Sequence, residues 1–170
     1  MVGVMHIIAF LVFPVGMAFA AASDLLTMTI SNKLTLGLAA AFVILAPLTG
    51  MDLAVFGMHW AAGGIVLAIA FACFAFGWIG GGDAKFAAVA TLWLGWENAA
   101  EFVGLASILG GGLTLAILSF RRAVLPAFIV RQPWVQRLHH EKAGVPYGIA
   151  LAAAALAVYP HTLWATTAIG

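Results

Sequence analysis

The sequence predicts an all-α, polytopic membrane protein with about six transmembrane helices and both termini outside. Composition is the first reason. Of 170 residues, 65% are hydrophobic and only 8% are charged, whereas a soluble domain carries about 25% charged residues. Too little polar surface remains to face water on all sides. The second reason is the run of apolar segments. A helix crosses the hydrocarbon core in about 20 residues, and six segments qualify: 4–22, 33–50, 53–77, 84–96, 101–120 and 147–168. None alternates with period two, which argues against a barrel. The third reason is the placement of charge. With the N-terminus outside, Lys33, Lys85, Arg121, Arg122, Arg131, Arg137 and Lys142 all fall on the cytoplasmic side, as the positive-inside rule expects. Asp52, Glu97 and Glu101 fall outside.

The segments follow in order. The first carries an Ala18-Phe19-Ala20 site that loosely suits a signal peptidase, but no Lys or Arg precedes it and it is of full span length. It therefore reads as a retained span. The second begins at Lys33, and Asn32 suits its N-cap. Cys73, the single cysteine, lies inside the third segment and reads as a small lipid- or core-facing residue. The fourth is short, so it spans only if the bilayer thins or protein wets its ends. The glycine pairs and triplets at Gly63-Gly64 and Gly110-Gly111-Gly112 read as close helix packing. Trp93 and Trp96 fit an outer aromatic belt, and His6, His59 and His161 read as interfacial.

The one substantial polar stretch is the loop 121–144, set within a single membrane domain spanning 1–170. Its five basic residues are interleaved with apolar ones such as Phe128 and Trp134, and Pro126 and Pro133 break any long helix. It reads as a cytoplasmic segment lying on the inner headgroups. His139-His140-Glu141 reads as solvated loop, not a metal site, because adjacent side chains diverge.

Two acidic residues stand apart. Asp24 lies between apolar stretches, and Asp83 separates two spans with almost no loop, in the sequence GWIGGGDAKF. A carboxylate near hydrocarbon is costly and tends to face a protein interior or a wet cavity. Taken singly, Asp83 suits a helix cap and Asp24 an interfacial position. Taken together, they sit at one depth on two helices. Two close carboxylates share a proton, so one draws a proton from water while the other polarises a carbonyl. That is the machinery of peptide hydrolysis, and the two titrate as one unit. Gly80, Gly81 and Gly82 would loosen the helix and let a substrate backbone approach; the plainer alternative is a turn. The phosphate-loop pattern is absent.

Three motifs then carry a resemblance. Gly80-Gly81-Gly82-Asp83 matches the GxGD motif of polytopic aspartic proteases, and Lys85 fits the GxGDxK form of type IV prepilin peptidases. Asp24, followed after five residues by Ile30-Ser31-Asn32, resembles that family's aspartate and Ile-Pro-Asn. Val145-Pro146-Tyr147-Gly148 resembles the Pro-Phe-Gly segment that opens its last span. Together they cover about residues 20–155, with Ser31 in place of proline and Tyr147 in place of phenylalanine.

In length the chain resembles the short CpaA/TadV type that serves Flp (tight-adherence) pili. The resemblance implies an aspartic endopeptidase with Asp24 and Asp83 as the catalytic pair, needing no metal or cofactor. Gly80, Gly81, Gly82, Lys85, Asn32, Pro146, Tyr147 and Gly148 would bind substrate or support the motifs. The implied substrate is a prepilin or pseudopilin, cut at the cytoplasmic face of the bacterial inner membrane, with no nucleic-acid partner. Without the paired Cys-x-x-Cys motifs of longer relatives, no methyltransferase activity is implied. Lys85 either holds a carboxylate or anchors the interface.

Rival readings are a proton-coupled transporter or channel subunit, which would use the two aspartates as proton carriers, and a non-enzymatic scaffold of a pilus or secretion assembly. Ser23, Ser31, Ser107 and Ser119 have no sequence-near histidine to support a serine protease.

Overall fold

The computed structural model describes residues 2–123, 126, 131–141 and 143–169, and every regular element among them is helical. Helix α1, Val2–Thr27, turns Ala9, Phe13, Met17, Ala20 and Asp24 inward. That spacing of three and four is one face of a helix. Val4, Leu11, Val15 and Phe19 point outward. The helix runs past the apolar run to Thr27, so Asp24 lies in its last turns, not beyond it. It stops at Met28, whose φ of 55° is left-handed.

Helix α2, Asn32–Leu48, starts from Ser31. The Ser31 hydroxyl, not Asn32 as expected, caps it by accepting from the Lys33 N–H at 3.1 Å. Helix α3, Leu53–Ala75, starts from Asp52 and ends in a Schellman turn. There the Trp78 N–H reaches the Cys73 carbonyl, the Gly77 N–H reaches that of Phe74, and Gly77 takes φ +75°. Helix α4, Gly81–Leu94, is 14 residues long, about 21 Å at 1.5 Å per residue. Helix α5 spans Trp96–Arg122, and a short α6 spans Pro133–His139.

The expected last span is broken. Helix α7, Tyr147–Val158, runs into a 3₁₀ turn at Tyr159–His161, and α8, Leu163–Ile169, follows. Pro160 lies within that turn, and proline removes the backbone donor that a continuing α-helix needs.

Three of the described helices are long and apolar enough to cross a membrane: α1 from Gly3, α3 and α5. The apolar stretches Asn32–Leu48 and Tyr147–His161 are shorter. Helix α4 is shorter still than α2, and protein surrounds it. Ala84, Phe86, Ala88, Ala90 and the whole run Thr91–Leu94 are buried, against α3, α2, α5 and α7.

The C-terminal end of α4 meets an aromatic cluster. Trp93 is fully buried and donates to the Leu38 carbonyl at 3.0 Å, so it belongs to the core and not to an interfacial belt. Trp164 donates to the Trp93 carbonyl at 2.8 Å. Phe13 and Phe42 pack on Trp93 with centroids 5.6 and 5.8 Å away. His59 is buried too, with its Nδ1 2.7 Å from the Leu92 carbonyl, so it is not interfacial. Of the glycine clusters, Gly63 and Gly110 pack closely, against α4 and Tyr147, while Gly64, Gly111 and Gly112 face open space.

In the basic stretch, Val124, Leu125, Phe128, Ile129, Val130 and Lys142 lie outside the described residues. Arg121 and Arg137 bond to backbone carbonyls of neighbouring segments. The Arg121 guanidinium donates to the carbonyls of Leu138, Ala143 and Gly144, each at 2.8 Å. Arg137 donates to the Leu26 carbonyl at the C-terminal end of α1, where a cation complements the helix dipole. His139 places Nε2 3.0 Å from the Ala123 carbonyl. Among the described residues, no group of three His, Cys, Asp or Glu side chains is arranged to hold a metal ion.

Candidate active site

Three backbone segments enclose a cavity of about 590 Å³ at one end of the bundle. They are the α1–α2 connection around Met28–Ile30, the α3–α4 turn from Gly77 to Asp83, and the approach to α7 from Gly144 to Tyr147. Asp24 and Asp83 both line it. Residues 59 positions apart in sequence therefore line one cavity.

Each carboxylate meets the N-terminus of a helix. Asp24 leaves α1 sideways and accepts the Gly148 N–H of α7 at 2.7 Å through Oδ2. It is 4% exposed. Asp83 is the third residue of α4, an acidic side chain in the helix's first turn, beside the N-cap residue Gly80. It is half-buried and more open than Asp24. Helix N-termini carry unpaired N–H groups and a partial positive charge, which favour anions. Both carboxylates thus lie at helix N-termini, and among the described residues neither is paired with a basic side chain.

The glycines act by size. A Cβ on Gly148 would lie 2.8 Å from Asp24 Oδ2 and 2.7 Å from Ile30 Cδ1. A Cβ on Gly80 would lie 2.8 Å from Asp83 Oδ2. Gly81 and Gly82 form the first turn of α4, beside Phe74 and Ile30. They do not interrupt a helix; the chain turns before them, at Gly77.

Of the remaining sequence candidates Tyr147 lines this cavity, whereas Lys85 and Asn32 line a separate hollow beside α2 and α4. Lys85 points to α2 and donates to Asn32 Oδ1 at 3.0 Å, joining two motif residues 53 positions apart. Tyr147 lines the cavity and places its hydroxyl 2.9 Å from Thr114 Oγ1 of α5. Pro146 is the N-cap residue of α7.

Three further contributors are not among the site residues read from sequence, although Ile30 belongs to the Ile30-Ser31-Asn32 motif. Ile30 is wedged between the starts of α4 and α7. Met28 lines the cavity in a left-handed conformation. Arg121 fixes the chain just before Pro146 through the carbonyls of Ala143 and Gly144. Ile30 has that motif signal, whereas Arg121 acts through partners far away in sequence.

The profile of the type IV leader peptidase family matches residues 11–115 of this chain. The chain belongs to the type IV leader peptidase family. No curated protein and no solved structure gives a significant match. The matched stretch holds both aspartates, the three glycines, Asn32 and Lys85; the Pro146-Tyr147-Gly148 segment lies beyond it. Membership makes this a type IV leader peptidase-like protein, with prepilin-like substrates and a membrane setting that its long apolar helices match.

Proposed function

We propose that this chain is an aspartic endopeptidase of the bacterial inner membrane that removes the cytoplasmic leader of Flp-type prepilins or pseudopilins, without methylating the product. One observation carries the reading: in a chain of this family, Asp24 and Asp83 line one cavity, each at the N-terminus of a helix. GxGD is the motif that supplies Asp83 and its glycine neighbours.

The chemistry follows from the pair. With one proton between them, the ionised carboxylate takes a proton from water, and the resulting hydroxide adds to the scissile carbonyl. The protonated carboxylate gives its proton to the carbonyl oxygen. Collapse of the gem-diol breaks the C–N bond: one hydroxyl returns its proton to the carboxylate that gave it, the amine leaves with the proton held by the acid formed in the first step, and the singly protonated pair is restored. The products are a carboxylate on the leader and a free amine on the mature pilin. The pair, not either residue, is the titrating unit.

The topology belongs to the same proposal. Six passages with both termini outside put all seven basic residues and the aspartate cavity on the cytoplasmic side. Helix α4 serves as a short passage because its neighbours, not lipid, cover it. Prepilin leaders are basic and cytoplasmic, which suits that placement. Reporter fusions at each terminus test it, and a cytoplasmic signal at either end contradicts it.

The deciding experiment co-expresses the chain with a Flp-type prepilin and follows prepilin size in membranes. Conversion to the mature size by the parent chain, lost in Asp24→Asn and in Asp83→Asn, is the expected result. Conversion that survives both substitutions sinks the aspartic mechanism.

A further inference from the structure

A second hollow, of about 460 Å³, opens on the side of the bundle. Its walls are α3, through Val66, Ile69 and Cys73, and α5, from Phe102 to Gly111; α4 and α7 form its floor. Ile79, Asp83 and Tyr147 line both this groove and the aspartate cavity. The two spaces therefore meet at a proposed catalytic carboxylate.

The groove has the chemistry of a helix seat. Apart from Asp83 at its inner end, none of its lining residues is charged. Of the six α5 residues that line it, four are small and fall four apart, Ala106 with Gly110 and Ser107 with Gly111. This spacing lets a second helix backbone approach closely. From Phe102 to Gly111 the wall runs nine residues, about 13 Å at 1.5 Å per residue, or two and a half turns. Among the described residues none fills it: a Cβ on Gly111 would meet no atom within 4 Å.

We infer that this groove seats the apolar helix of the substrate, directly after the cleaved bond. The inference rests on the peptidase reading and adds the place where the substrate is held. The leader then lies in the polar cavity among Gly80, Gly144 and Thr29, and the apolar helix lies between α3 and α5. The peptide between them passes Asp83 at the junction, where the environment changes from polar to apolar. Continuity with the aspartate cavity is what assigns the groove to the substrate and not to a lipid chain. A lipid needs no carboxylate at its inner end, and a cleaved peptide does.

Gly111 and Gly112 give a matched test. Both are open positions on α5, but only Gly111 lines the groove. Leu at either position improves local helix propensity, and only Gly111→Leu fills the seat. Prepilin processing is expected to fall at least about tenfold in Gly111→Leu, equivalent to about 1.4 kcal/mol of lost binding, and to hold in Gly112→Leu. Equal processing by the two variants overturns the inference.

A second readout does not depend on how well a variant folds. Cys73 is the chain's only cysteine and lines the groove. In an Asp83→Asn background, single cysteines placed along the apolar helix of an otherwise cysteine-free prepilin are oxidised with copper–phenanthroline. Disulfide adducts with Cys73 at helically spaced positions support the seat. If the parent chain processes prepilin and no position yields an adduct, the groove is a lipid site and the inference fails. If the parent chain processes no prepilin, the peptidase reading itself falls.

Discussion

At its C-terminal end, α4 is locked among rings. Trp93 is fully buried, its indole N–H is taken by Leu38, and its carbonyl is taken by Trp164. At its N-terminal end the same helix opens on a cavity, and its first turn is glycine, glycine, aspartate. One end is filled by large side chains bonded to backbone. The other is kept empty by residues with no side chain, which leave room for two carboxylates. A short helix can present a reactive group at one tip because the other tip is immobile. Positional precision near the aspartates is supplied from about 14 residues away.

That contrast is best broken first at the carboxylates. Asp24→Asn and Asp83→Asn each keep the shape of the side chain and remove the shared proton chemistry. Prepilin processing is expected to drop by about 10²–10⁴-fold, with membrane abundance unchanged. Next come the glycines that hold the space. Gly148→Ala and Gly80→Ala each bring a Cβ within 2.8 Å of a carboxylate oxygen. Displacing a reacting group by about 1 Å costs on the order of 10²-fold, so processing should fall by about that factor while thermal stability in detergent barely moves. A large stability loss with retained specific activity would assign these glycines to packing alone.

The aromatic end should show the reverse. Trp164→Phe leaves the buried Trp93 carbonyl without its donor, at a cost of about 1–3 kcal/mol. A lower unfolding midpoint with unchanged processing per folded molecule is expected; lost processing at full stability would contradict the division between the two ends. The Lys85–Asn32 bond is a smaller matter. Lys85→Met and Asn32→Ala should each cost about 1 kcal/mol, and the double variant no more than either alone, as for two ends of one interaction. A Lys85→Met loss far above that of Asn32→Ala would show that the lysine acts on something besides Asn32. Smallest is Met28→Gly, which relieves a left-handed residue, about 1–2 kcal/mol, less the added freedom of glycine in the unfolded chain. A modest rise in unfolding midpoint is expected, and a fall would mean the Met28 side chain packs more usefully than its backbone strains.

Residues whose environment is set locally are legible in the amino-acid sequence. The helical class, the membrane setting and a turn between α3 and α4 follow from composition and from glycine. Nominating Asp24 and Asp83 needs only their cost near hydrocarbon, and the fold brings both to one cavity. Sequence does not say which apolar surface faces protein and which faces lipid. Hydropathy scores Trp93 and Trp96 alike, yet Trp93 is fully buried and Trp96 is 50% exposed. His59 departs from its interfacial reading for the same reason, because its partner, the Leu92 carbonyl, lies 33 residues away. Arg121 and Arg137 reveal only their charge locally, and their bonds to carbonyls of distant segments are tertiary facts. The break at Pro160 does have a local signal, but an apolar run that passes through a proline hides it.

The length of α4 also bears on how the protein is made. Fourteen residues, about 21 Å, fall short of the roughly 30 Å of hydrocarbon. Lipid alone therefore offers this segment no stable home when it leaves the ribosome. It must be received by companions: α3, already synthesised and joined to it through the tight turn at Gly77, and α5 and α7, which come later. Assembly of the aspartate cavity is then a late event in biogenesis. A nascent chain stalled before α7, with a cysteine introduced into α4, should be open to aqueous cysteine reagents there and inert.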